Sequence, residues 1–150
     1  MPAARFAMPA NTSAVARARQ QVLATVRSWG GGLDGETADT LELIVSELVT
    51  NAVVHGGDGR VAVALCLDGN LLRVSAYDGS PRPPLFRAAK DDEETGRGLA
   101  LVDALAFRHG WEPTPRGKRC WAELELSESS PVLNSDVLTS GGLASGQAAP

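Results

Sequence analysis

Cysteine, histidine, aromatic residues and net positive charge are all scarce in this 150-residue chain, and each scarcity closes off a class of function. The two cysteines, Cys66 and Cys120, stand far apart inside apolar stretches (VALCL and RCWAEL) and belong to no C-x-x-C pair. In a reducing compartment such residues are small buried apolar side chains rather than a bridge. His55 and His109 are the only histidines, so no zinc-ligand spacing can be assembled. A structural zinc and a Cys–His nucleophile are thereby disfavoured. The formal charge is −4, so no overall field draws the chain to nucleic acid or anionic lipid. No apolar run approaches the roughly 18 residues of a membrane span. The opening MPAARFAMPAN lacks the continuous apolar core of a signal peptide. A cytoplasmic chain without direct nucleic-acid or membrane contact is expected.

What is present is an ordinary globular composition, 43% apolar, in a length that suits one domain. Ala3–Pro9 (AARFAMP) reads as a short strand. Asn11-Thr12-Ser13 supplies capping chemistry for a helix over Ala14–Trp29, with Val15, Ala18, Val22 and Val26 at helical spacing. Gly30-Gly31-Gly32 ends it. A second helix runs from about Glu36 to His55, its apolar positions Leu41, Ile44, Val45, Leu48, Ala52 and Val53 following the 3.6-residue period. Arg60–Leu67 and Leu71–Tyr77 read as strands joined by the turn residues Asp68-Gly69-Asn70. A Pro-rich, charged loop follows from Asp78 to Thr95, then a third helix from Leu99 to about Phe107. Arg108–Glu112 and Arg119–Leu126 read as a closing hairpin.

Strands joined mostly by hairpins, with helices grouped in sequence, predict an α/β two-layer sandwich. Its sheet is expected to be mixed but mainly antiparallel, with helices on one face. A doubly wound parallel sheet would need a helix between each pair of strands, and the chain does not supply them. Residues 3–126 form the predicted domain. Residues 127–150, rich in Ser and Gly with no aromatic or positive residue, are predicted to be a disordered tail.

Three stations could carry chemistry. On the second helix, Glu47 and Asn51 are offset by about 40° and His55 by about 40° more, at 100° per residue, with Thr50 close by. This polar stripe fits either a solvated helix edge or the wall of a polar pocket. In the second case the Glu47 carboxylate can serve as a general base and the Asn51 amide oxygen as a hard ligand for Mg²⁺. Asp78-Gly79 ends a strand. It reads as a simple turn, or as an acceptor for a flat heterocycle that the glycine lets approach. Thr95-Gly96-Arg97-Gly98-Leu99 opens a helix, where unpaired N–H groups and the Arg97 charge suit phosphate. A dinucleotide fingerprint is rejected, because position 101 is Leu and no strand precedes the glycines. The acidic run Asp91–Glu94 suits a solvated face or a mobile lid.

In this order, E-x-x-x-N on a helix, D-G after a hairpin, a loop, then G-x-G opening a helix, the stations resemble the histidine-kinase-like (Bergerat, GHKL) ATPase superfamily. Within it, SELVTNAVVHG and TGRGLALVDAL are similar to the stand-alone anti-sigma-factor serine/threonine kinases. ARFAMPANTSAVARARQQV resembles that branch's first strand and helix, and GKRCWAELEL its last strand. The resemblance covers about residues 4–126 and implies the Bergerat ATP-binding fold. It implies ATP and Mg²⁺ as cofactors, with Asn51 ligating Mg²⁺ and Glu47 taking the proton from the attacking hydroxyl. Asp78 would accept from the adenine amino group, with His55, Gly79, Thr95 and Leu99 in the same pocket. Gly96, Arg97 and Gly98 would cradle phosphates beneath a lid of about residues 80–95. It further implies phosphorylation of an anti-sigma-factor antagonist protein, docking to a sigma factor, and homodimerisation.

The chain departs from the family's D-x-G-x-G, because Ser80 and Arg82 replace two glycines and Pro81, Pro83 and Pro84 stiffen the lid entrance. The neighbourhood Gly117–Cys120 offers no hydroxyl where the last strand often carries Thr. These departures keep a second reading open: a nucleotide-dependent switch that regulates a partner by docking, with weak or no transfer. Arg17 and Arg19 on the first helix are either a docking face or a solvated one.

Overall fold

The computed structural model describes residues 1–30, 32–56, 59–84 and 94–126, and for residues 94–99 only the backbone. The order is β1 (Ala3–Pro9), α1 (Ser13–Ser28), α2 (Gly35–His55), β2 (Arg60–Asp68), β3 (Leu71–Asp78), α3 (Glu94–Leu105), β4 (Arg108–Thr114) and β5 (Gly117–Glu125). The strands form one sheet in the order β1-β2-β3-β5-β4, and every pairing is antiparallel. The parallel component of a mixed sheet is therefore missing among the described residues. α3 is followed by β4, which takes the sheet edge, so that β5 returns antiparallel between β4 and β3.

Period-two alternation explains which face is covered. Val61, Val63, Leu65 and Leu67 of β2, Leu72, Val74 and Ala76 of β3, and Cys120, Ala122 and Leu124 of β5 are buried on the side the helices pack against. α2 lies in the middle of the helical layer, touching α1, α3 and strands β2, β3 and β5. Its buried set, Ala38, Leu41, Ile44, Val45, Leu48, Val49, Asn51 and Ala52, forms one stripe about 160° wide at 100° per residue. Each such Leu, Ile or Val is worth roughly 1.5–3 kcal/mol of burial.

Local signals set the ends. Asp34 caps α2, its Oδ1 accepting from the Thr37 backbone N–H at 2.7 Å. Asn11 Oδ1 accepts from the Ser13 backbone N–H at 3.0 Å ahead of α1. Gly30 adopts φ +76° past the end of α1, and Gly69 φ +64° in the β2–β3 turn. In α1 the buried row is Ala14, Ala18, Val22 and Val26, so Ala14 replaces the expected Val15, which is half-buried. Four-residue steps from Val26 lead back to Ala14. α3 begins at Glu94, five residues before the predicted Leu99, and ends before Phe107, which is exposed. Packing on α2 outweighs the low helix propensity of Gly96 and Gly98. Cys120 is buried and free, its thiol pushed up to about 11 by burial. Cys66 is free but only half-buried, because it faces away from the helices.

On the sheet face turned away from the helices, Glu123 is buried between Arg73 and Arg108, with ion pairs of 2.6 and 2.7 Å. Burial disfavours its charge, but hydrogen bonds from both guanidinium groups outweigh that and hold the carboxyl below its ordinary value. A depressed folded-state value means stability present above the unfolded glutamate pKa and lost as pH falls through the folded one. Both arginines are partly exposed, at 40% and 61%, so solvent screens the contribution. Glu123→Gln is expected to cost about 1 kcal/mol at pH 7. In urea titrations that gap should close as pH drops below about 4. A gap that persists at low pH would contradict the ion-pair account.

Candidate active site

α2 carries Glu47, Asn51 and His55 along one line at intervals of about 6 Å, four residues times the 1.5 Å helical rise. The line runs from the helix's middle to its last turn, and its environment changes along the way. Glu47 is half-buried, and loss of water around it pushes its carboxyl above the ordinary value. Asn51 is only 4% exposed, and its Oδ1 has no hydrogen-bond partner. His55 is exposed. Thr50 is half-buried beside them. A solvated helix edge would not bury an amide oxygen unpaired, a state that costs roughly 1–3 kcal/mol. The pocket-wall reading of the stripe is therefore the one the geometry supports.

Asp78 ends β3 on the helix-facing side, continuing the row Leu72, Val74, Ala76. Its carboxylate is buried. Oδ1 accepts from the Ser80 backbone N–H at 2.9 Å and from Lys118 Nζ at 3.1 Å, while Oδ2 has no partner among the described residues. Lys118 stands opposite Asp78 in the β3–β5 register and is 1% exposed. Sequence reasoning missed it. The available signal was alternation: positions 118, 120, 122 and 124 share the inward face, so a lysine heading that row had to be buried.

Two glycines let these elements meet. A Cβ on Gly56 would lie 2.5 Å from Asp78 Cβ and 2.2 Å from the Ala52 carbonyl oxygen, so the end of α2 rests directly on the carboxylate. A Cβ on Gly117 would lie 2.0 Å from the Asp78 carbonyl oxygen. Gly79 differs: a Cβ there would make only ordinary contacts at 3.8 Å, and its backbone N–H donates to the Gly56 carbonyl at 3.1 Å. Close backbone approach within the protein is thus required at Gly56 and Gly117.

Asn51, His55 and Lys118 line a cavity of about 260 Å³, closed on its other side by Arg82, Pro83 and Pro84. The Pro-rich segment that departs from the D-x-G-x-G pattern is therefore a wall of the cavity. A larger cleft, about 560 Å³, follows the strand edge past Arg5, Tyr77, Asp78 and Arg116, but it includes none of Glu47, Asn51 or His55. The predicted residues are thus divided: Asn51 and His55 line the smaller cavity, Asp78 and Gly79 line the larger cleft, and Glu47 lines neither.

The backbone of Thr95, Gly96, Arg97, Gly98 and Leu99 lies within the first two turns of α3, not ahead of it, and their side chains lie outside the described residues. Residues 85–93 of the expected lid, including Asp91-Asp92-Glu93, and the tail 127–150 also lie outside them. On α1, Arg17 is exposed, whereas Arg19 donates to Ser46 Oγ at 3.1 Å and so ties α1 to α2. Among the described residues no helix is long and apolar enough to cross a membrane.

The site's residues fit a nucleotide with its metal. Asn51 Oδ1 is a hard neutral oxygen of the type Mg²⁺ accepts, and Asp78 Oδ2 is an acceptor awaiting a donor. Among the described residues no three His, Cys, Asp or Glu side chains could cage a metal. A magnesium ion would therefore be held by Asn51 together with phosphate oxygens.

Comparison with known proteins bears on the family and the fold. Residues 8–123 match the family described as the histidine kinase-like ATPase domain. An anti-sigma F factor from Bacillus licheniformis is 27% identical over 125 residues, covering 73% of this chain and 86% of that protein. An uncharacterised Streptomyces coelicolor protein is 37% identical over 92 residues, covering 59% of this chain and 86% of that protein. Among solved structures, a Mycobacterium tuberculosis protein with RsbU and RsbW domains superposes with a TM-score of 0.64 at 22% identity. The match covers 89% of this chain, which spans 35% of that longer protein. An antiparallel five-stranded sheet under three helices is thus a fold shared with that protein. With the family match spanning most of its length, the chain belongs to the histidine kinase-like ATPase domain family.

Proposed function

We propose that this protein is a cytoplasmic, ATP-dependent anti-sigma regulator that phosphorylates a serine or threonine on an antagonist protein. The observation that carries the nucleotide part is the pair of buried acceptors without a partner among the described residues, Asn51 Oδ1, whose residue lines the smaller cavity, and Asp78 Oδ2, whose residue lines the larger cleft. The similarity to anti-sigma F factors supports the regulatory part, docking to a sigma factor, and we propose homodimerisation with it.

In this reading Asp78 Oδ2 accepts from the adenine amino group. Asn51 Oδ1 holds magnesium against the phosphates. The magnesium ion, when bound, neutralises charge on the transferring phosphoryl group. Gly96, Arg97 and Gly98, at the start of α3, cradle the phosphate oxygens. Glu47 accepts the proton of the attacking hydroxyl, and its burial raises its basicity for that task. Phosphoryl transfer demands mainly positioning and charge neutralisation, and these residues supply both.

The second reading, docking without useful transfer, draws on Ser80 and Arg82 standing where the family has glycine. Pro83, Pro84 and Arg82 already wall the cavity, which limits how far that segment can move on closing.

Calorimetric titration with ATP should show magnesium-dependent binding that Asn51→Ala weakens by about tenfold or more. No binding by folded protein at millimolar ATP would overturn the nucleotide reading. With an antagonist protein present, Glu47→Gln should reduce γ-phosphate transfer by about 10²–10⁴-fold while leaving ATP affinity nearly unchanged. Because burial raises the Glu47 carboxyl, the acid limb of the transfer rate should lie above the ordinary glutamate value of about 4.3. Binding without any Glu47-dependent transfer would favour the docking switch.

A further inference from the structure

A lysine that is 1% exposed, at the head of an otherwise apolar inward row, is costly to keep. A buried ion pair is weak grounds for stability, since apolar residues of similar volume commonly do as well or better. Lys118 also does more than neutralise Asp78. Its Nζ uses one donor on Asp78 Oδ1, its hydrogen-bond partner among the described residues, and a lysine has three. The side chain lines the cavity next to Asn51 and His55. Asp78 meanwhile keeps Oδ2 unpaired. The two strand ends therefore hold an acceptor and a donor side by side, fixed by the β3–β5 register, with Lys118 on the smaller cavity and Asp78 on the larger cleft.

Adenine offers the complement of that pair on one edge, where the exocyclic amino group donates and the adjacent ring nitrogen N1 accepts. We propose that Lys118 is a second base-reading residue, donating to adenine N1 while Asp78 Oδ2 accepts from the amino group. This rests on the nucleotide reading above and adds to it a specificity determinant on β5. The bond is charge-assisted and lies out of water, so its loss carries a large effect on affinity.

The test compares ATP with 1-deaza-ATP, in which a C–H replaces N1 and the amino group is kept. Titrated into the natural protein, the analogue should bind at least about tenfold more weakly. In Lys118→Met the ratio of the two affinities should fall to near one. Because that variant leaves Asp78 unpaired, Asp78→Asn/Lys118→Met, which removes both charges together, serves as the folded control with the same expected ratio. Equal affinities in the natural protein would overturn the role of Lys118 and leave the nucleotide reading intact. A tenfold preference that survives in either variant would also overturn it. Failure of folded natural protein to bind either compound would overturn the nucleotide reading itself, and this inference with it.

Discussion

A carboxylate drawn out of water at the end of a core strand must find partners, and in this protein the partner is a lysine from the neighbouring strand. The Asp78–Lys118 pair sits where β3 and β5 leave the sheet and where the end of α2 comes down on them. Much of the surrounding structure serves that meeting. Gly56 and Gly117 have no side chain because any Cβ would strike Asp78 or its carbonyl. The Gly79 N–H to Gly56 carbonyl bond then ties the exit of β3 to the α2 terminus. Beside the pair, Asp78 Oδ2 and Asn51 Oδ1 are buried with no hydrogen-bond partner among the described residues.

Buried acceptors without a partner cost free energy, and each calls for an explanation. The core around the site can bear that cost. α2 buries leucine, isoleucine and valine along one stripe against two helices and three strands. The polar line of Glu47, Asn51 and His55 is consequently held on a rigid element rather than a loop, which is what a site dependent on positioning requires. Glu47 lies one turn before Asn51, where burial makes its carboxylate more basic.

The sequence made the local elements legible because their signals are local. β1 was readable to the residue, and β2 and β3 to within one residue at their ends, since Val61, Val63, Leu65 and Leu67 alternate cleanly between turn residues. The Glu47–Asn51–His55 stripe was readable from helical spacing. Relations between strands were not. No local pattern states that Lys118 pairs with Asp78, and the antiparallel return of β5 depends on which edge β4 takes. The start of α3 was misplaced for a related reason: Gly96 and Gly98 read as helix breakers, whereas contact with α2 carries the helix through them. The inward position of Lys118 is legible from strand alternation, but its partner on β3 is set by register, which no local pattern states.

The central claim is that the cavity between α2 and the ends of β3 and β5 is a nucleotide site built on Asn51, Asp78 and Lys118. A crystal structure of the protein with magnesium and a non-hydrolysable ATP analogue tests it most directly. The account predicts the adenine amino group within hydrogen-bonding distance of Asp78 Oδ2 and the metal on Asn51 Oδ1. A nucleotide seated instead in the cleft past Arg5, Tyr77 and Arg116, with Asn51 and Asp78 Oδ2 still unpartnered, would contradict it.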